Sequence, residues 1–509
     1  MKPISLLADY SISLAEFLQG YSVVPESQGA IVIQDLKLDS REIVSGDLFV
    51  ALQGCQDNGI RYINAAAQKG ACVALVDQLD LGLCRDYEIP LVAIKGLRQN
   101  LSKLAGRFFR EPSSRMKVVG VTGTNGKTSC VQFISQALSD LGRPCGSIGT
   151  LGFGSANELF ESERTTPDAI SLQRMLAFLA EEGATAAALE VSSHAIDQCR
   201  VNGIEFDTLV FTNLSHDHLD YHGSMEAYAA TKKRLFLTPG VQHAVINADD
   251  RFGEELIQQL SGKMKLYRYG LNASGVEARA SDIQITERGL RARLDSVWGQ
   301  GIISSPLLGR FNLSNLLAVY AVLCAWGVSV DEALQGISKL TGASGRMQHY
   351  GGGNLPLVVV DYAHTPEALA LVLEILSEFC EGQLWCVFGC GGDRDRGKRP
   401  IMGQIAESMA DCLVLTSDNP RTEKPAQIIE EILSGLSRPE HAKVYEDRSR
   451  AIAASIESAQ VDDVILIAGK GHENYQEMAG VRVAFSDSEQ ARGSLNARAR
   501  KFDVGGTLQ

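Results

Sequence analysis

The chain has 509 residues, 45% of them hydrophobic and 21% charged, the make-up of an ordinary soluble protein with about three domains and cores that need no metal or disulfide staples. Lys and Arg total 48 against 61 Asp and Glu, a formal charge of −13. That balance argues against a general nucleic-acid binder, while leaving room for a local basic cleft that holds an anionic small molecule.

Taken from its start, Met1 to Gln19 has no basic stretch followed by an apolar core and a cleavage site, so no secretory signal is expected. The first segment, residues 1–110, carries short apolar runs near Ile31–Ile33, Leu48–Ala51, Val73–Val76 and Leu91–Ile94. These read as strands, and no catalytic-looking cluster follows them, so the segment reads as a substrate-holding domain. Arg110-Glu-Pro-Ser-Ser114 has the composition of a linker.

From there the pattern is strand, loop, helix, repeated. Strands are predicted at Lys117–Val121, Ala186–Glu190, Thr208–Phe211, His243–Ile246, Leu357–Val360, Trp385–Phe388, Cys412–Leu415 and Val464–Ile467. Each is short, nearly continuous in apolar residues and rich in β-branched ones, as parallel strands buried on both faces are. Helices are predicted between them, for example Ser129–Leu141, Met225–Leu237 and Thr365–Phe379. The fold class is therefore α/β. A second linker is expected over Gly342–Gly345 and Gly351–Asn354, giving a central domain over 111–345 and a carboxy-terminal one over 346–509.

The longest apolar run, Leu316–Val328, is shorter than the ~20 residues a bilayer span needs and reads as a buried helix. The 11 cysteines are scattered without framework spacing, as reduced thiols in a cytosol are. Cys386 and Cys390 lack a second Cys/His pair and read as core residues.

The informative segments follow the strands. Gly123-Thr-Asn-Gly-Lys-Thr128 sits between a strand and a helix, where backbone N–H groups and the helix N-terminus favour anionic oxygens. Lys127 would reach terminal phosphates and Thr128 would ligate Mg²⁺. The strict pattern has glycine where this chain has Val121, so the motif is a variant. Its plain alternative is a glycine-rich helix cap. Glu190 ends one strand and His218 follows another. Both are placed for metal ligation, although an imidazole is an unusual Mg²⁺ ligand. Lys232, in a helical stretch, reads from spacing alone as a solvated surface lysine. Further polar clusters follow at Asp361–Thr365, Gly389–Asp395, Ser417–Arg421 and Ala468–Glu473. In open α/β sheets, ligands bind beyond the carboxyl ends of the strands. Clusters at every such end suggest two sheets that serve one site.

Gly123–Thr128, Glu190-Val-Ser-Ser-His194, His216-Asp-His-Leu-Asp220 and Asp361-Tyr-Ala-His-Thr365 resemble the Mur ligase family, ATP-dependent amide-forming enzymes of bacterial peptidoglycan synthesis. Gly391-Gly-Asp-Arg-Asp395, Asp418-Asn-Pro-Arg421 and Gly469-Lys-Gly-His-Glu473 resemble the branch that adds meso-2,6-diaminopimelate to a UDP-N-acetylmuramoyl dipeptide. The likeness runs from about Leu38 to Gln476. It implies a UDP-binding domain, a central ATPase domain with a parallel sheet and a Rossmann-like carboxy-terminal domain. It also implies roles. Leu38, Ser40, Cys55, Gln56 and Asp57 would hold the uridine end. Thr165, Thr166, Ser192, Gln198 and Arg200 would hold the muramoyl-peptide part, beside an unexpected Arg164. ATP would meet Gly123, Thr124, Asn125, Gly126, Lys127, Thr128 and Ser129, with Asn312 and Asn315 near adenine. Arg394, Asp418, Asn419, Pro420, Arg421, Gly469 and Glu473 would form the amino-acid pocket. Lys232 matches a lysine carbamylated by CO₂. As a carbamate it would join Thr128, Glu190 and His218 around two Mg²⁺ ions. Lys127, Glu190, His218 and Lys232 are thus the implied catalytic set.

The implied chemistry is phosphorylation of a carboxylate by ATP, attack of an amine on the acyl phosphate, and release of ADP and phosphate. Arg421 is expected to select diaminopimelate over lysine by a bidentate contact with its second carboxylate. The partners expected are small molecules, with neither nucleic acid nor membrane insertion, in a cytoplasmic monomer. Three alternatives stand beside this: the same ligation with L-lysine, a folylpolyglutamate synthetase-like ligase, and a nucleotide-dependent switch without bond formation.

Overall fold

The computed structural model describes residues 10–54, 57–84, 87–162, 164–286, 289–342 and 345–505. The expectation for Cys55 and Gln56 lies outside them. The chain forms two compact units. One comprises residues 1–279, 295–299 and 314–336, and the other 280–294, 300–313 and 337–509.

The first unit opens with a parallel sheet in the order Asp35–Lys37, Asp47–Ala51, Val73–Asp77, Leu91–Ile94. Three of these are the expected strands. The fourth expected strand, near Ile31–Ile33, forms as Val32–Ile33 but lies outside this sheet. Val32–Ile33 pairs antiparallel with Ile12–Ser13, and the sheet's own first strand is Asp35–Lys37. That strand has one apolar residue, Leu36, between two charged ones, so no apolar run marked it. Asp35 is held by Arg174 and Lys37. Arg110–Ser114 turns a corner in which Arg110, Glu111 and Ser114 are exposed. Arg110 and Glu111 are left-handed, and Pro112 and Ser113 are buried in the turn that follows.

The same unit holds a longer sheet. Lys117–Thr122 runs parallel between Ala186–Glu190 and Thr208–Phe211, with His243–Asn247 and Lys265–Gly270 continuing outward in parallel. On the other flank lies Cys145–Gly149, then Gly152–Ser155 and Leu159–Phe160, which turn back antiparallel. Three neighbouring strands therefore deliver their following loops side by side.

In the second unit the order is Gln348–Gly352, Leu355–Asp361, Val464–Ala468, Leu384–Phe388, Cys412–Leu415, Lys443–Val444, parallel except at the first edge. Alternate residues serve opposite cores. Leu357, Val359, Cys386, Phe388 and Leu466 face one layer of helices. Val358, Val360, Val387, Ile465 and Ile467 face the other. Burial on both faces is why these strands read as unbroken apolar runs. The α/β class, the parallel phosphate-loop sheet and the Rossmann-like carboxy-terminal sheet are as expected.

Leu316–Val328 falls largely in the helix Arg310–Ala325, and among the described residues no helix is long and apolar enough to cross a membrane. The described cysteines are free thiols, and the Cys390 sulfur rests against Met402 in the core.

Candidate active site

In the first unit the phosphate-loop segment forms a turn into the helix Lys127–Asp140. Two glycines are required by space as well as by backbone. A Cβ on Gly123 would stand 1.9 Å from Thr212 Oγ1, and one on Gly126 2.5 Å from Asn315 Oδ1. The loop after Thr208–Phe211 braces the turn. Thr212 Oγ1 donates to the Asn125 carbonyl at 2.6 Å, and Asn125 N–H donates to Asn213 Oδ1 at 2.9 Å. Lys127 Nζ curls back onto the carbonyls of Gly123 (3.0 Å) and Thr124 (2.7 Å). Thr128 and Ser129 are buried in the first helical turn.

Glu190 is 1% exposed, so its carboxylate depends on hydrogen bonds for its solvation. It accepts Thr128 Oγ1–H at 3.1 Å, Thr150 N–H at 2.8 Å and Thr150 Oγ1–H at 3.2 Å. The muramoyl-peptide candidates gather at the same strand end. Thr166 Oγ1 donates to the Glu190 carbonyl (2.7 Å) and accepts from Ser192 N–H (3.0 Å). Thr165 meets Thr150 at 3.1 Å. Arg200 donates to the Thr166 carbonyl (2.7 Å) and to Gln198 Oε1 (2.6 Å). Arg164 is exposed. Thr150 is a contributor that the sequence reading missed. It follows a strand of small residues, Cys145–Gly149, which carries no apolar run.

Lys232 overturns the reading from spacing alone. It is 1% exposed, and Nζ donates to the Gly123 carbonyl at 2.9 Å while lying 4.5 Å from the Tyr228 ring centroid. Burial, then the charge of Lys127, holds its pKa well below the usual lysine value. Burial also pushes the Tyr228 phenol up to about 12, so it stays a hydroxyl, 3.2 Å from Thr124 Oγ1. His218 is exposed and left-handed (φ 54°). Its ring lies 4.9 Å from that of His194 and 6.2 Å from that of Tyr228. Lys232 and His218 thus both border Tyr228. Burial, then neighbouring histidines, lowers the His194 pKa. Among the described residues no group of three His, Cys, Asp or Glu side chains is arranged to hold a metal.

Asn315 stands against Gly126 and Cys130. Asn312 is buried and donates to the Leu308 carbonyl at 2.8 Å. In the amino-terminal sheet, Leu38 is half-buried, Ser40 is buried in a turn capped by Asp39, and Asp57 accepts from Tyr62, Arg61 and Asn58.

The second unit gathers the other candidates at the carboxyl ends of its strands. Asn419 bridges Glu473 Oε2, which it reaches at 2.8 Å, and Lys470 Nζ, from which it accepts at 3.0 Å. Lys470 also bonds Glu473 at 2.8 Å and is wholly buried. Glu473 therefore already holds a protein ammonium, a partner not foreseen although its motif was singled out. Asp418 is buried, and Gly469 (φ 113°) leaves room for it, since a Cβ there would lie 2.6 Å from Asp418 Oδ2. Arg421 is half-buried and left-handed (φ 51°), with Nη1 donating to the Gly392 carbonyl at 2.6 Å. The hairpin Tyr475–Met478 and Val481–Ala484 grips its backbone. Arg421 N–H donates to the Glu477 carbonyl (3.0 Å), and its carbonyl accepts from Ala479 N–H (2.7 Å). Pro420 is buried and Arg394 is exposed.

Behind these, two wholly buried arginines support the loops. Arg448 pairs with Asp487 and donates to the carbonyls of Ser417 and Ala468, the residues just before Asp418 and Gly469. Arg399 pairs with Glu423 and Glu431. Neither was picked out from sequence, where a lone arginine in a helix reads as surface.

Residues 121–323 match the Mur ligase middle domain, and 345–471 match the Mur ligase glutamate ligase domain. A UDP-N-acetylmuramoyl-L-alanyl-D-glutamate–2,6-diaminopimelate ligase of Ectopseudomonas mendocina is 49% identical over 93% of this chain and 97% of its own length. The enzyme of the same name from Pseudomonas aeruginosa is also 49% identical over 93% of this chain and 97% of its own. A solved structure of a ligase with that name is 36% identical, with a TM-score of 0.73, covering 96% of this chain and 99% of the other.

Proposed function

Because the chain belongs to the Mur ligase family, we propose a residue-by-residue account of its site. The chain is an ATP-dependent amide ligase that adds meso-2,6-diaminopimelate to the D-glutamate of UDP-N-acetylmuramoyl-L-alanyl-D-glutamate in peptidoglycan biosynthesis. Domains over 1–110, 111–345 and 346–509 hold the UDP-substrate, ATP and the amino acid respectively.

A carboxylate resists amines because its leaving group is oxide, so the D-glutamate carboxylate first takes the γ-phosphoryl group of ATP. Two anions must meet in that step. The amides of Gly123–Thr128 and the N-terminus of Lys127–Asp140 face the phosphates, with Asn312 and Asn315 towards adenine. Lys127 leaves its backbone carbonyls to neutralise charge on the transferred group. Thr165, Thr166, Ser192, Gln198 and Arg200 hold the muramoyl peptide beside Glu190, while Leu38, Ser40 and Asp57 hold its uridine end.

The oxygens of Thr128 and Glu190 suit a small hard cation. Thr128 donates its proton to Glu190 and so keeps lone pairs for a metal. Two Mg²⁺ ions fit the account, one held by Thr128 and Glu190, the other by His218 and carbamylated Lys232; they would supply charge neutralisation at the phosphoryl group. Only the neutral amine attacks CO₂, and the depressed pKa of Lys232 supplies that form.

Arg421 meets the second carboxylate of diaminopimelate, with Arg394 beside it. Asp418 and Glu473 receive its ammonium groups, and Asn419, Pro420 and Gly469 shape the pocket. The carrying observation is the half-buried, backbone-gripped Arg421 guanidinium. Lysine would leave that charge without its carboxylate, at a cost of about 10⁴ in selection. The protein works as a monomer in the cytoplasm. The test is phosphate release from ATP with the UDP-dipeptide, comparing diaminopimelate, L-lysine and no amine. Release driven by diaminopimelate and hardly by lysine is expected. Equal release with lysine refutes the role of Arg421, and no stimulation refutes the ligase assignment.

A further inference from the structure

Arg399 is among the largest wholly buried side chains of the protein, on the helix Lys398–Met409, behind the pocket and not in it. A buried guanidinium needs most of its donors satisfied, and the places where Arg399 spends them are informative. Nη1 and Nη2 both reach Glu423, at 2.8 Å each. Nη1 also reaches Glu431 at 2.7 Å, and Nη2 reaches the Gly391 carbonyl at 3.1 Å. Nε is buried without a partner.

The partners fall on two segments. Gly391, Gly392 and Asp393 follow the strand Leu384–Phe388, and Arg421, Thr422 and Glu423 follow Cys412–Leu415. Three successive ties join them. Arg399 links the Gly391 carbonyl to Glu423. Arg421 Nη1 donates to the Gly392 carbonyl. Asp393 N–H donates to Glu423 Oε1 at 2.6 Å, while Thr422 N–H and Oγ1–H donate to the Asp393 carboxylate. The middle tie belongs to the residue that selects the amine, and its neighbours on both sides run through Arg399 or its partner. Asp393 and Arg421 are both left-handed, a conformation that ordinary side chains adopt only where surroundings enforce it.

We propose that Arg399 is a positioning residue for amine selection: it clamps Gly391–Asp393 against Thr422–Glu423 and so fixes the direction in which the Arg421 guanidinium presents its remaining donors. This rests on the reading of Arg421 above. Arg399 is wholly buried, so it acts through Arg421 and not on the substrate. Pairing with Arg399 holds the Glu423 carboxyl down at about 2, so the clamp is charged throughout the working pH range.

A lysine at 399 would keep the charge but lose the fork that ties Gly391 and Glu423 together. The experiment compares the full-length wild type with Arg399→Lys and Glu423→Gln, reading kcat and KM for each substrate and the ratio of kcat/KM for diaminopimelate to that for L-lysine. That ratio is expected to fall about tenfold or more in each variant, through a raised KM for diaminopimelate. KM for ATP and for the UDP-dipeptide should stay within about twofold. A merely structural role would lower kcat for all substrates together and leave the ratio where it was. That result overturns the proposal. If Arg399→Lys does not fold, Glu423→Gln and Glu431→Gln decide. A lowered ratio in either supports the clamp, and an unchanged ratio in both removes it. A wild type that shows no diaminopimelate-driven release refutes the substrate reading itself. A selective wild type with equally selective variants refutes only the role of Arg399.

Discussion

The phosphate loop and the amino-acid pocket both bury cations, but in opposite ways. Around the phosphate loop, Lys232 is buried against a carbonyl and an aromatic face, and no carboxylate pairs with it among the described residues. In and behind the amino-acid pocket every wholly buried cation among the described residues has an acid: Lys470 with Glu473, Arg399 with Glu423 and Glu431, Arg448 with Asp487. A paired cation stays charged and holds a shape. An unpaired one is driven towards its neutral form and becomes reactive. On the proposed function, the first arrangement serves chemistry and the second recognition.

The contrast can be broken experimentally. The largest effect is expected from Lys127→Ala, which should lower ADP formation by about 10³-fold with any amine. A normal rate would remove the phosphate-loop account. Next, Asp487→Ala strands the Arg448 charge in the core and should cost about 3–5 kcal/mol of stability by denaturant unfolding. A much smaller loss would mean that the pocket does not depend on pairing. Arg421→Ala should lower kcat/KM for diaminopimelate by about 10²-fold or more while leaving the KM for ATP nearly unchanged. Equal changes in both would mark it as structural.

The smallest and most diagnostic effect concerns Lys232→Met in CO₂-depleted buffer. The folded pKa of Lys232 lies below its unfolded value near 10.5. Where the unfolded chain binds the extra proton, stability rises with pH. The wild type therefore carries a penalty that is full below the folded pKa and gone above the unfolded one. The variant should melt a few degrees higher at neutral pH, an advantage that shrinks as pH approaches 10.5. Its catalytic loss should not be restored by bicarbonate, whereas CO₂-depleted wild type should recover. A variant less stable at neutral pH would show that the amine is not a burden.

What could be read from sequence follows the same divide. The phosphate loop, Glu190 and the strands on either side of it were legible because doubly buried strands write unbroken apolar runs and their ends write polar clusters. Asp35–Lys37 and Cys145–Gly149 were not, since one is charged and the other small and glycine-rich. Lys232 was misplaced by spacing, because a helix surface pattern does not tell which residue lies under a neighbouring loop; the family resemblance placed it instead. Thr150, Arg399 and Arg448 act by contacts between segments distant in sequence, which local pattern does not encode; Lys470 pairs with Glu473 inside one motif, and only its bond to Asn419 reaches a distant segment.

The hairpin Tyr475–Ala484 grips Arg421 through main-chain atoms alone, the Glu477 carbonyl and the Ala479 N–H. Such a grip is blind to side-chain identity and sensitive to register. Over evolutionary time, exposed residues such as Met478, Val481 and Val483 are free to drift with little effect on this grip. Gain or loss of a single residue in the hairpin is not, because it would offer Arg421 a carbonyl where it needs an amide. A scan should therefore tolerate substitution at Met478, Val481 and Val483 and reject insertion and deletion, while Gln476, whose side chain donates to the Ser417 hydroxyl and the Asp418 carbonyl, should resist replacement.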